Sequence, residues 1–113
     1  MSNAKLRIDI KRYRMCIHRN ALKEIGDPPF LHFCYNPEKK RLMVIGTWLE
    51  DGRSVRVRYD SHGSVYIHSK PLLTGIREVS NIMSESGSYL AEGEVRQKEN
   101  QIIFSLADAK YFP

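Results

Sequence analysis

The sequence predicts an α+β domain built from two βαββ-like halves, mostly antiparallel strands with two helices, the first short and the second longer. Three observations carry this. Ile17-His18 followed by Leu22 returns fifty residues later as Ile67-His68 followed by Leu72. Each echo passes from a period-2 apolar run into a segment with apolar residues at helical spacing. Each is then followed by two further apolar runs around a polar turn. A chain of 113 residues suits one domain, 1–113, with halves over about 6–48 and 64–107 and a linking strand over 54–59.

The elements follow in order. Leu6, Ile8 and Ile10 alternate with Arg7 and Asp9, which predicts a strand. Tyr13, Met15 and Ile17 continue on the opposite parity, so a bend or bulge belongs near Lys11-Arg12. Arg19 to Ile25 reads as a short helix with Ala21, Leu22 and Ile25 as its stripe and Gly26 as its stop. Asp27-Pro28-Pro29 forces an extended exit. Phe30 to Tyr35 and Arg41 to Gly46 form a hairpin around Asn36–Lys40, the second strand running on into Thr47-Trp48-Leu49. Asp51-Gly52 signals a tight hairpin. Ser54 to Tyr59 then alternates, with Val55, Val57 and Tyr59 on one face and Arg56 and Arg58 on the other. Asp60-Ser61-His62-Gly63 turns the chain.

The second half opens with the strand Ser64 to Ile67. Ser69 caps a helix with Pro71 in its first turn. Leu72, Leu73, Ile76, Val79, Ile82 and Met83 make its apolar stripe, which ends near Ser84. After a loop at Ser86-Gly87-Ser88, Tyr89 to Val95 and Gln101 to Leu106 pair around Lys98-Glu99-Asn100. Ala107 to Pro113 is expected to pack as a tail. The offset between the halves grows from fifty at the start to sixty at Leu42 and Ile102, which matches a longer second helix.

Composition is that of a soluble domain, 42% apolar and 27% charged. No apolar run approaches the roughly 18–20 residues that cross a bilayer, and no charged-then-apolar leader is seen. Cys16 and Cys34 lie in apolar runs at no framework or metal spacing, so buried thiols in a reducing cytoplasm are expected. Charge is uneven. Residues 1–60 hold 13 Lys/Arg against 7 Asp/Glu, a balance of +6, and residues 61–113 hold 5 against 6, a balance of −1. A basic half favours an anionic partner, nucleic acid or an acidic protein.

Chemistry is scarce. His18 and His68 occupy equivalent positions, but neither has a third ligand at metal spacing, so strand packing or a hydrogen bond at a helix start is the better reading. His32 and Cys34 make at most a two-ligand clip. The cysteines lie where thiols are inert, the seven glycines form no phosphate loop, and Glu92 with Glu94 suggests an acidic edge. Neither an enzyme nor a cofactor or metal is expected. Phe30, Phe33, Tyr35 and Trp48 are read as core before stacking platform, with Trp48 at an edge or an oligomer contact.

Tyr13 to Gly26, followed by Phe30–Tyr35 and Arg41–Ile45, resembles the AbrB/SpoVT-type swapped-hairpin family. Ile17-His18-Arg19 stands where that family has Ile-Pro-Lys, and Leu22-Lys23-Glu24-Ile25-Gly26 matches its helix and stop. Tyr13-Arg14 replaces the family's glycine. Two such units resemble the MraZ-like tandem arrangement. The resemblance implies a DNA-binding transcription regulator whose basic strand surface lies on duplex DNA, with RNA also compatible. The residues that suit such a surface are Lys11, Arg12, Arg14, Arg19 and Lys23 in the first unit and Arg53, Arg56 and Arg58 near the linking strand. Guanidinium forks match phosphate oxygens and guanine edges alike. The plainer reading of any single arginine is a solvated face. The alternative function is a homo-oligomeric protein-interaction module without nucleic acid.

Overall fold

The computed structural model describes residues 3–59, 64–80 and 87–112. Among them the chain forms β1 (Asn3–Asp9), β2 (Arg14–His18), α1 (Arg19–Glu24), β3 (Phe30–Asn36), β4 (Arg41–Thr47), β5 (Val55–Arg56), β6 (Ser64–His68), α2 (Lys70–Ser80), β7 (Ser88–Arg96) and β8 (Gln101–Phe112). The protein is α+β, and its strand pairings are antiparallel, in one sheet of order β5-β3-β4-β8-β7-β1-β2-β6.

Alternation along the strands delivers one apolar face. Leu6 and Ile8 of β1, Met15 and Ile17 of β2, Leu31 of β3, and Leu42 and Val44 of β4 all point inward and are buried. Val65 and Ile67 of β6 and Ile102, Phe104 and Leu106 of β8 complete the face. Ala21 and Leu22 of α1 and Leu73 and Ile76 of α2 join the same cluster. Each such large side chain contributes about 1.5–3 kcal/mol on burial. The eight-stranded sheet is not flat but curls until its two edges approach. Its outermost strands, β5 and β6, consequently line one hollow and face each other across a gap.

Both helix starts are capped by side chains. His18 has extended dihedrals, and its Nδ1 accepts the Asn20 N–H at 3.2 Å. Ser69 Oγ accepts the Leu72 N–H at 3.3 Å. α1 ends in a paired cap, with Gly26 N–H donating to the Lys23 carbonyl at 3.0 Å and Asp27 N–H to the Leu22 carbonyl at 2.9 Å. Gly26 takes the left-handed φ of +93° that this cap requires.

Several expectations are corrected. The bend near Lys11-Arg12 is a full reversal, with Tyr13 at φ 49°, and β1 and β2 pair as a hairpin. The linking strand 54–59 shrinks to Val55–Arg56, paired to β3, although Val57 is buried while Arg56 and Arg58 are exposed. Asp51-Gly52 does turn the chain, yet β4 and β5 are not partners, because β4 is taken on both edges by β3 and β8. β4 stops at Thr47, leaving Trp48 and Leu49 exposed. The expected tail is strand: β8 runs to Phe112 and pairs Tyr111 with Tyr89. Cys34 is exposed and Cys16 half-buried, because both occupy outward positions of their strands. The expected turn at 60–63 and the helix end at Ile82, Met83 and Ser84 lie outside the described residues.

Candidate nucleic-acid interface

Because Leu6 and Ile8 point inward, Arg7 and Asp9 of β1 point outward. The same logic turns Arg14 and Cys16 of β2 and Tyr66 and His68 of β6 outward. Register then lines these side chains up across three strands. Arg7, Cys16 and Tyr66 form one row, and Asp9, Arg14 and His68 form the next.

Two hollows flank these rows. One, of about 450 Å³, is bounded by Arg7, Asp9, Arg12, Arg14, Cys16 and Tyr66. The other, of about 350 Å³, lies in the gap between β5 and β6 and is bounded by Arg56, Arg58, Tyr66 and His68. Tyr66 belongs to both and is 47% exposed. Five arginines thus surround the two hollows with Asp9 as the one acid in their walls among the described residues.

The charges are held, though loosely. Asp9 Oδ2 receives Arg12 Nη1 at 3.5 Å and Arg14 Nε at 3.6 Å. The Arg14 guanidinium also lies 5.1 Å from the Tyr66 ring centroid. Arg56 pairs with Glu50 at 3.2 Å and covers Phe30 at 5.2 Å. The exposed Arg56–Glu50 pair contributes at most about 1 kcal/mol and is screened by salt, so an incoming polyanion competes for that cation on favourable terms, whereas Asp9 is half-buried beside Arg12 and Arg14. Elsewhere the outer face is mixed: Glu92 and Glu94 of β7 stand with Arg41 and Arg96 around a separate hollow.

Of the eight basic residues expected from sequence, the structure gathers Arg12, Arg14, Arg56 and Arg58 along this groove. Lys11 is exposed in the neighbouring turn. Arg19 lies elsewhere, over the Tyr59 ring at 5.1 Å and 3.9 Å from Asp27. Tyr59 donates its hydroxyl to the Pro28 carbonyl at 2.8 Å; burial first, and then the Asp27 charge, push its pKa up to about 12. Lys23 is exposed in the last turn of α1, and Arg53 in the β4–β5 loop, outside the groove walls. Arg7, Tyr66 and His68 were missed. Strand parity alone turned Arg7 outward beside Asp9 and Tyr66 away from Val65 and Ile67; the missing information was that β2 pairs with β1 and β6.

No three His, Cys, Asp or Glu side chains gather as metal ligands among the described residues. His32 instead meets Asp51 at 2.9 Å. None of the helices described is long and apolar enough to cross a membrane. No protein-family model, curated protein or solved structure matches the chain, so the swapped-hairpin resemblance rests on the residues quoted for it.

Proposed function

We propose that this chain is a non-enzymatic nucleic-acid-binding protein, acting as a regulator, and that it binds through the groove across β1, β2, β6 and β5. The observation that carries this is the arginine wall: five guanidinium groups against one carboxylate, around two hollows joined at an exposed tyrosine. Arg7 and Arg14 on the outward faces of the adjacent strands β1 and β2, with Arg56 and Arg58 across the gap, offer several cations to a phosphate backbone. Neutralising about four phosphates makes the observed affinity fall with a log–log salt slope of about −3 to −4. The test is fluorescence anisotropy with mixed-sequence oligonucleotides across a salt series. Arg56→Ala/Arg58→Ala should weaken binding and flatten the slope by about 1–2 units. Retention of affinity and slope in that variant would remove the groove from the reading.

We further infer that the body consists of two βαββ-like halves. Three features support it. The β2–β6 ladder is centred on Cys16 and Tyr66, fifty residues apart, and the β4–β8 ladder on Met43 and Ile103, sixty apart. Lys40 and Asn100, also sixty apart, both take φ 52° in their hairpin turns. Gly46 N–H donates to the Asn100 carbonyl and Leu106 N–H to the Lys40 carbonyl, both at 2.8 Å, a reciprocal pair under the same offset. Tandem halves of this kind accord with the MraZ-like arrangement. The halves differ at the groove: β1 and β2 form a hairpin, whereas β5 and β6 stand apart.

A second reading, a homo-oligomeric interaction module, draws on the exposed neighbours Trp48 and Leu49. It requires self-association that resists salt and is lost in Trp48→Ala/Leu49→Ser, measured by analytical ultracentrifugation.

A further inference from the structure

Resting on the nucleic-acid reading of the groove, we propose that its ligand is a single strand, with one unstacked base on the Tyr66 ring and the flanking phosphates on the arginines of the two hollows. Tyr66 is the mid-strand residue of β6, in register with Cys16, and packs outward rather than into the core. The aromatic ring, 47% exposed, stands between two cation-lined hollows. The Arg14 guanidinium at 5.1 Å backs the ring electrostatically and restricts its swing. The ring also borders the hollow of Arg56, Arg58 and His68, and a base placed there brings its own phosphate to those arginines.

Shape decides the strand state. A duplex keeps its bases stacked inside and offers a side chain only groove edges and phosphates. Its stacked bases gain no stacking from an exposed ring. A single strand has exposed base faces, and stacking on an aromatic accepts any base. The hollows on either side of the ring place cations on both flanks of one stacking face.

The experiment is anisotropy on the full chain with a labelled mixed-sequence DNA strand of about a dozen nucleotides, a length within ordinary single-strand site sizes. Its duplex and an RNA strand of the same sequence run in parallel. A single strand, DNA or RNA, is expected to bind at least about tenfold more tightly than the duplex, and Tyr66→Ala to lose about tenfold or more of that affinity. Tyr66→Phe, which keeps the ring and guards against misfolding, should stay within about twofold. Equal binding of strand and duplex, or an unchanged Tyr66→Ala beside a weakened Arg56→Ala/Arg58→Ala, overturns the single-strand proposal while leaving the groove as a nucleic-acid site. Absence of binding by every oligonucleotide at low salt overturns both.

Discussion

At Gly93 the sheet leaves no space for a side chain. A Cβ there would lie 2.6 Å from the Ile103 carbonyl oxygen and 2.6 Å from the Phe104 ring. Phe104 is fully buried and faces Gly93 across the β7–β8 ladder, so it has nowhere to retreat. Gly93→Ala should therefore cost about 1–3 kcal/mol, seen as a lower urea midpoint at unchanged slope. An unshifted midpoint would show that β8 yields there. Other residue-scale features were readable in advance. Ser69 had the chemistry of a cap, and strand parity put Arg56 and Arg58 on the outside. The importance of Gly93 and Tyr66 was not, because it depends on cross-strand neighbours that no local pattern names.

The β4–β5 loop shows how an element is tied down by one carboxylate. Asp51 Oδ1 accepts the Arg53 N–H at 2.8 Å, its own N–H donates to Ser54 Oγ at 3.0 Å, and Oδ2 meets His32 Nε2 at 2.9 Å. The Arg53 N–H is the main cause that holds the carboxyl below its usual 3.8; desolvation opposes it, and the His32 charge adds to it. A carboxyl whose folded value is depressed contributes stability above its ordinary value, and that contribution is lost as pH falls through the folded value. Acidification below pH 3.8 should thus release the loop locally, read as a step in the amide NMR shifts of residues 52–54. Asp51→Asn should abolish that step; its persistence would assign it to another group. Here the sequence signal was half sufficient. Asp51-Gly52 marked a turn correctly, but a turn motif does not say which strands it joins, and β8 had already taken the β4 edge.

Over the whole molecule, the α+β class and most of the core followed from alternation, since each inward residue of a half-buried strand announces itself. Strand order did not. It depends on ladders between residues 46 to 91 positions apart, and the groove exists only because the curled sheet brings β5 and β6 to one place. The two cysteines report on that arrangement without any mutation. Cys16 lines the first hollow, whereas Cys34 is exposed on β3 beside Lys39 and Arg41. A bound oligonucleotide should slow alkylation of Cys16 several-fold and leave Cys34 unchanged, as measured by mass spectrometry of the digest. A Cys16 rate unchanged by saturating oligonucleotide would put the contact surface on another face.

The gap between β5 and β6 has a consequence apart from any ligand. Among the described residues each strand pairs on one side, with β3 or β2, and so presents unmatched backbone donors and acceptors on the other. Such rows invite a neighbouring copy to anneal, and natural sheets deter this with charged side chains along the edge. Arg56 and Arg58 stand where such gatekeepers belong. The same positive charge that lines the groove thus lies along a sheet edge, where like charges on two copies oppose edge-to-edge pairing.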